Sequence, residues 1–97
     1  MTRDEAIRRL RDHQGELKRL GVERLYLFGS IADDRGSGDS DVDLFFDHQK
    51  GKLGLYELMD LKEIASAILG HRADIMTRES LHPILRPHIE EAAVLVF

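Results

Sequence analysis

Two aspartates separated by one residue are the strongest chemical signal in this sequence. Asp41 and Asp43 flank Val42 at the start of an alternating run, and a β-strand places residues i and i+2 on the same face. Carboxylate oxygens suit Mg²⁺ or Mn²⁺, and Asp74 in a later apolar run is a candidate third ligand. A metal site at Asp41, Asp43 and Asp74 is therefore one interpretation. On spacing alone, a solvated strand end explains the pair equally well.

A second candidate site lies upstream, where a predicted strand ends at Gly29 and Ser30. Glycine lets the backbone approach a phosphate closely, and a helix that begins at Ser30 would direct free amide groups towards it. The serine hydroxyl can donate a further hydrogen bond. Two metal ions beside a bound triphosphate would activate an attacking hydroxyl and stabilise the departing pyrophosphate. The two sites together predict a nucleoside triphosphate as substrate.

Composition limits the classes of protein that this chain can belong to. Its 97 residues predict one domain, residues 1–97, with 42% hydrophobic and 33% charged residues. The absence of cysteine excludes disulfides and thiolate metal sites, and no apolar run approaches the length of a membrane span. The charged N-terminus lacks a signal-peptide core, which favours the cytoplasm. The net charge of -4 argues against stable binding to nucleic acid.

The elements that must position these residues follow from hydrophobic periodicity. We predict helices at residues 2–20, 31–33, 55–69 and 81–92, and strands at residues 22–28, 41–46, 73–76 and 93–97. The first strand has apolar residues on both faces, so we expect it to be central and covered on both sides. The alternation of helices and strands predicts an α/β domain with one sheet and helices packed against it.

The spacing of the two motifs resembles the nucleotidyltransferase superfamily that includes DNA polymerase beta. Gly29-Ser30, ten intervening residues and Asp41-Val42-Asp43 follow that pattern without a gap, and Asp74 looks like the third acid of the family. The small size and the closing AAVLVF are similar to the minimal nucleotidyltransferase (MNT) proteins. The resemblance extends over essentially the whole chain.

This resemblance implies a polymerase beta-like fold, in which helices pack against a mixed β-sheet, and a function. In such a site Gly29 and Ser30 would hold the triphosphate, Asp41 and Asp43 would bind two Mg²⁺ ions, and Asp74 would bind the catalytic metal and help to activate the acceptor. MNT proteins are commonly paired with HEPN-type toxins, and the MNT member resembles an antitoxin that transfers AMP from ATP to a tyrosine of the toxin. Because 97 residues form little core and leave broad helix faces, we also expect a homodimer or a complex with such a partner.

The family pattern fails in one place, which leaves two alternatives open. Asp33 and Asp34 stand where the family has Arg-Gly, and Arg35 follows, so we predict that Arg35 takes the usual arginine position at the triphosphate. If it does not, the chain is a catalytically weak or inactive antitoxin that neutralises its partner by binding. Transfer to a small molecule is the third reading, although relatives of that kind usually carry a further helical domain.

Overall fold

A computed structural model describes residues 1–33, 41–49, 51 and 53–97 of the chain. Its elements, in chain order, are α1 (Arg3–Asp12), α2 (Gln14–Arg19), β1 (Val22–Phe28), α3 (Gly29–Ala32), β2 (Val42–His48), α4 (Leu55–Leu69), β3 (Ala73–Thr77), a 3₁₀ turn (Arg78–Ser80), α5 (Arg86–Ala92) and β4 (Val94–Leu95). The strands form a four-stranded sheet in the order β3-β2-β1-β4. The predicted α/β class with a mixed sheet is confirmed.

The pairing of the strands explains why the sheet is mixed. β1 pairs antiparallel with β2 on one side and with β4 on the other, so its predicted interior position is confirmed. β2 pairs parallel with β3, and parallel neighbours need a crossover connection, which α4 provides. A hydrogen bond from the Val42 N–H to the Arg72 carbonyl, 3.0 Å long, ties the start of β2 to the chain just before β3.

The core lies between one face of the sheet and the apolar faces of α1 and α4. Fully buried side chains include Leu10, Leu25, Leu27, Val42, Leu44, Phe46, Leu61, Leu69 and Ile75. Burial of each leucine, valine or isoleucine stabilises the fold by about 1.5–3 kcal/mol relative to exposure. The alternating run that begins at Asp41 was predicted correctly as a strand, because Val42, Leu44 and Phe46 all face this core.

The other face of the sheet, which we call the open face, is less covered than the sequence predicted. Tyr26 and Phe28 of β1 remain partly exposed there, whereas Leu25 and Leu27 on the opposite face are buried. The expectation that β1 is covered on both sides was therefore wrong for this face. Its apolar side chains are interspersed with charged ones, which stay near water.

The predicted helix over residues 2–20 begins correctly but is not continuous. Thr2 caps α1, since its hydroxyl accepts a hydrogen bond of 3.2 Å from the Glu5 N–H. The helix then breaks at His13, whose φ is -112° and whose ring nitrogen lies 2.9 Å from the Arg9 carbonyl oxygen. In a continuous helix the backbone N–H of residue 13 would use that carbonyl, so the side chain competes with the helix.

Helix α4 was predicted correctly at both ends. Its apolar stripe spans fifteen residues, and Gly70 ends it in the left-handed region with φ of 68°. At the start, the Glu57 carboxylate accepts a 3.1 Å hydrogen bond from the Gly54 N–H. Within the described ranges, no helix is long and apolar enough to cross a membrane.

The C-terminal elements are shorter than predicted. Helix α5 begins at Arg86 and not at residue 81, because Pro83 interrupts the earlier part and Pro87 fits the first turn of a helix. The last strand contains Val94 and Leu95 where five residues were expected. Strands β2 and β3 instead run further than predicted, to His48 and Thr77.

Candidate active site

The parallel pair β2 and β3 brings two of the predicted acids together. Asp43 and Asp74 are register partners in this pair and lie on the open face. Neighbouring strands are about 4.8 Å apart, so the two carboxylates occupy adjacent positions at the start of the strands. Asp43 is partly buried and Asp74 is exposed. We call these two residues the acidic pair.

The third predicted acid, Asp41, precedes β2 and is exposed to solvent. Its carboxylate lies 3.9 Å from the guanidinium of Arg72, which precedes β3. The two side chains are 50% and 85% exposed, so this ion pair holds neither group strongly. Asp41 therefore lies beside the acidic pair without being committed to another partner.

Negative charge accumulates at this end of the sheet. The pKa of Asp43 is raised above its ordinary value, first by burial and then by the nearby charges of Asp74 and Asp41. Each of these causes disfavours the ionised carboxylate. A cation bound among the three side chains would remove the repulsion, so the site is electrostatically suited to a positive ion.

The donor chemistry of the site fits a hard divalent cation. Asp41, Asp43 and Asp74 supply only carboxylate oxygens, which suit Mg²⁺ or Mn²⁺ and leave room for water and phosphate in the coordination shell. In the part of the chain that the structure describes, no three histidine or acidic side chains are close enough to form a metal site by themselves. The three aspartates fit such an ion by their chemistry, and Asp43 and Asp74 also fit it by their adjacent positions on β2 and β3.

Gly29 approaches Asp43 of the acidic pair from the side of β1. It ends β1 and begins α3 with φ of 78°, a conformation that side-chain-bearing residues rarely adopt. A Cβ atom at this position would overlap the Asp43 carboxylate. Ser30 follows, partly buried in the first turn of α3. The structure therefore brings together Gly29, Ser30 and Asp43, as their predicted roles require.

The segment in which the sequence departs from the family pattern is described only in part. Asp33 is exposed and forms the C-cap of α3, where its backbone N–H donates a 3.2 Å hydrogen bond to the Gly29 carbonyl. Asp34 and Arg35 lie outside the described residues, and with them the predicted contact between Arg35 and the triphosphate. That contact stays a prediction.

A cluster of charged residues on the open face was missed by the sequence analysis. Arg78 donates to both Asp47 oxygens, with N–O distances of 2.7 and 3.0 Å, and also to the Glu90 carboxylate on α5. Its guanidinium lies 4.9 and 5.1 Å from the ring centroids of Tyr26 and Phe45, which stack on each other. We call Asp47, Arg78 and Glu90 the ionic cluster.

The alternation of the strands contained a signal for part of this cluster. Asp47 lies four residues after Asp43, and Arg78 lies four residues after Asp74, so both pairs share the open face. Extending the period-two pattern past the two motifs would have identified Asp47 and Arg78. Glu90 could not be found in this way because it comes from α5, whose packing the pattern does not specify.

Comparison with known families gives one profile match. The nucleotidyltransferase domain matches residues 7–96, which include the acidic pair, Asp41, Gly29 and Ser30. Because the match extends from α1 to the last strand, it accounts for the fold as well as for the motifs.

Curated relatives point to a particular group within this family. The chain is 36% identical over 78 residues to the candidate protein adenylyltransferase MJ0435 of Methanocaldococcus jannaschii, covering 80% of this chain and 83% of the relative. It is also 36% identical over 70 residues to the protein adenylyltransferase MntA of Thermococcus cleftensis, covering 71% and 70% of the two chains. These relatives are named for adenylyl transfer to proteins.

Solved structures share the fold. A candidate minimal nucleotidyltransferase superposes with a TM-score of 0.83 at 30% identity, covering 97% of this chain and 95% of the other. A toxin–antitoxin complex with AMP-PNP gives 0.71 at 18% identity, covering 100% and 73%. A tri-AMPylated HEPN toxin from Shewanella oneidensis in complex with an MNT antitoxin gives 0.54 at 15% identity, covering 90% and 71%. The latter two likenesses show the fold alone.

Proposed function

The chain belongs to the nucleotidyltransferase domain family, and we propose that it transfers AMP from ATP to a hydroxyl group of a partner protein. We further propose that the partner is a HEPN-type toxin, that the acceptor is a tyrosine, and that the chain acts as the antitoxin. The adenylyltransferase names of the relatives support AMP as the transferred group. The toxin–antitoxin complexes of similar fold support the choice of partner.

The observation that carries the proposal is the pairing of Asp43 with Asp74. These residues are thirty-one positions apart in the sequence, yet the parallel register makes them direct neighbours. Gly29 packs against Asp43 on one side, and Asp41 lies two residues earlier, just before β2. A solvated strand end would not require a glycine at positive φ against one carboxylate or a second carboxylate on the adjacent strand.

In the proposed reaction, the acceptor oxygen attacks the α-phosphorus of ATP, and pyrophosphate leaves. The Gly29 backbone and the Ser30 hydroxyl would hold the triphosphate, with serine donating to a phosphate oxygen. The Asp74 carboxylate would accept the hydrogen bond from the acceptor hydroxyl and receive its proton, which then passes to water. When bound at Asp41, Asp43 and Asp74, Mg²⁺ would make that hydroxyl more acidic and offset the charge on the leaving pyrophosphate.

The raised pKa of Asp43 has a clear consequence in this scheme. Without a cation, burial and the two neighbouring carboxylates favour the protonated form of Asp43. Only the ionised form can donate its lone pairs fully to a metal. We therefore expect binding of Mg²⁺ to release protons and to strengthen as the pH rises through the pKa of this group.

The test is a transfer assay in which the product of the neighbouring gene is tried as the proposed HEPN-type partner. Wild type, Asp41→Asn/Asp43→Asn and the control Asp60→Asn are incubated with that partner, Mg²⁺ and ATP labelled at the α-phosphorus. Asp60 is an exposed acid on α4 and serves as a matched charge change away from the site. We expect label on the partner with wild type and with the control, and none with the double variant.

A non-catalytic antitoxin is the second candidate, and Asp33 favours it. This exposed acid occupies the position of the family arginine, and it would repel a triphosphate bound nearby. The two candidates differ in a cell-growth assay with the toxin co-expressed. If the double variant still rescues growth, contact suffices and transfer is not the means of neutralisation. If rescue is lost while the complex still forms, the enzymatic proposal stands.

A further inference from the structure

A cavity of about 470 Å³ lies between α4 and the edge strand β3 and borders the candidate active site. It is lined by Lys62, Glu63, Ser66, Arg72, Ala73 and Asp74. A space of this size can accept a side chain or a small ligand. Because Asp74 belongs both to this cavity and to the acidic pair, a group bound in the cavity lies next to the proposed reacting centre.

The position of the cavity relates it to the acceptor and not to the triphosphate. Gly29 packs against Asp43 from β1, so the nucleotide side of the proposed site is the flank facing β1. The cavity is on the opposite flank, beyond Asp74, where β3 forms the edge of the sheet. In the proposed reaction, ATP occupies the flank facing β1. The acceptor hydroxyl must also reach Asp74, and it can approach from the flank that contains the cavity.

The donors that line the cavity suit an anion. Lys62 comes from α4, Arg72 comes from the residue before β3, and Ser66 lies one helical turn after Lys62 on the same face of α4. The Ser66 oxygen accepts a 3.0 Å hydrogen bond from the Ala73 N–H, so its own O–H is available as a donor. These three groups provide ammonium, guanidinium and hydroxyl donors within one cavity.

The two cations are weakly committed elsewhere. Arg72 pairs with Asp41 at 3.9 Å, a largely exposed contact, and Lys62 has no ion pair with any of the residues described. Glu63 and Asp74 place two negative charges in the same lining, and Mg²⁺ bound at Asp74 would offset one of them. With that ion bound, the two cations outnumber Glu63, the one acid of this lining that is not offset, in a chain whose net charge is -4.

We propose that this cavity binds an anionic group of the acceptor, a carboxylate or a phosphate close to the acceptor hydroxyl, through Lys62, Arg72 and Ser66. The inference rests on the metal site of the proposed function, which offsets the charge of Asp74, but it does not require that AMP is transferred. Charge-assisted hydrogen bonds to such a group would place the hydroxyl at Asp74. The acceptor is then a hydroxyl-bearing residue with a negative charge nearby, and a neutral sequence around it is a poor substrate.

The test uses the full-length chain, labelled with ¹⁵N, and three peptides of equal length. Each has a central tyrosine flanked by glutamate, by phosphoserine or by glutamine, so that the carboxylate and phosphate sources are separated from a neutral control. Binding is followed through the amide signals in a buffer that contains Mg²⁺ but no ATP. We expect the two charged peptides to shift the signals of Lys62, Ser66 and Arg72, and the glutamine peptide to leave them unchanged.

The matched variants are Lys62→Gln and Lys18→Gln, which remove the same charge at opposite ends of the sheet. Lys62 is exposed on α4, so its substitution leaves the fold intact. One exposed charge contact corresponds to a change of about threefold to fivefold, so Lys62→Gln should raise the Kd of a charged peptide by that factor. Lys62→Arg should retain tight binding, and Lys18→Gln should have no effect. Arg72 is unsuitable as the main variant because it also contacts Asp41.

Transfer of label from ATP to the peptides separates this inference from the proposed function. Lys62→Gln should raise KM for the charged peptide and leave KM for ATP unchanged. The inference is overturned if the glutamine peptide binds as tightly as the charged ones, or if the two lysine variants behave alike, even while wild type transfers AMP. If wild type binds the charged peptides through Lys62 but labels neither them nor the partner protein, the proposed function is wrong and the anion site stands.

Discussion

The two faces of the sheet use the same strands for opposite purposes. On the core face, Leu44 of β2 is fully buried and packs with Leu27 and Ile75, its register partners on the adjacent strands. On the open face, Asp43 stands beside Asp74 and carries a raised pKa. The core face lowers the free energy of the fold, while the open face retains charges that repel one another. Because side chains alternate between the two faces of a strand, adjacent residues have different roles. Leu44 stabilises the fold, and Asp43 is a proposed site residue.

The largest effect should come from the core face. Leu44→Ala removes a fully buried side chain and is expected to lower the free energy of unfolding by about 2–5 kcal/mol. The control is Leu95→Ala, since Leu95 is 43% exposed and should cost less than about 1 kcal/mol. Urea denaturation followed by circular dichroism measures both. Equal losses would contradict the assignment of the two faces.

The adjacent residue should show the reverse pattern. Asp43→Asn removes a proposed metal ligand and is expected to lower the rate of AMP transfer about 100-fold or more, equivalent to about 2.7 kcal/mol of transition-state stabilisation. Its stability without metal should be equal to or greater than that of wild type, because a repelled carboxylate is lost. A transfer assay and a urea titration on the same sample give both quantities. If Asp43→Asn lowered the free energy of unfolding as much as Leu44→Ala does, the proposed difference between the two faces would be wrong.

Arg78 tests whether the open face contributes to stability away from the acidic pair. Its side chain is 21% exposed, and Arg78→Met leaves Asp47 and Glu90 without their shared cation. We expect a loss of about 1.5–3 kcal/mol, the usual range for hydrogen bonds to charged groups. Arg78→Lys keeps the charge but cannot donate to both Asp47 oxygens in the same way. Its free energy of unfolding should lie between those of wild type and Arg78→Met. The exposed Arg8 on α1 provides the control variant Arg8→Met, which should be neutral in the same urea titration.

The smallest effect concerns pH. The pKa of Asp43 is higher in the folded chain than in the unfolded chain, so the folded state binds this proton more tightly between the two values. The free energy of unfolding therefore falls as the pH rises through that window, because the unfolded chain loses this proton first. Below the unfolded pKa both states are protonated, and Asp43 causes no such loss. In metal-free buffer, the advantage of Asp43→Asn over wild type should grow with pH and then level off. If the stability advantage of Asp43→Asn were the same at every pH, repulsion within the acidic pair would not be its cause.

The sequence predicted the parts of the fold that local patterns control. The period of α4 and the glycine after it defined both helix ends, and strict alternation placed Val42 and Asp43 on opposite faces. The break at His13 was missed because it depends on one side chain competing for a carbonyl inside an otherwise regular stripe. The start of α5 was missed because Pro83 and Pro87 each allow more than one boundary.

The candidate site was predicted to a similar extent. Spacing and family resemblance identified Asp41, Asp43, Asp74, Gly29 and Ser30, and the structure brings them to one end of the sheet. The direct contact between Gly29 and Asp43 could not be predicted, because it depends on the pairing of β1 with β2. The sequence also did not predict that Lys62 and Arg72 line one cavity beside Asp74, since the end of α4 and the turn that follows separate them in the chain.

The parallel alignment of β2 with β3 has a further meaning for how such chains can vary. The chain between Asp43 and Asp74 includes α4, and Ser66 of α4 accepts a hydrogen bond from the Ala73 N–H at the start of β3. The alignment of the two acids is nevertheless defined by the pairing of β2 with β3. We expect insertions in the connections before and after α4 to be tolerated as long as β3 enters the sheet in the same register, whereas a slip of one residue would move its acid to the core face. A search for distant members of this group should therefore require the third acid to lie on the open face of its strand. The number of residues between the second and third acids should be allowed to vary.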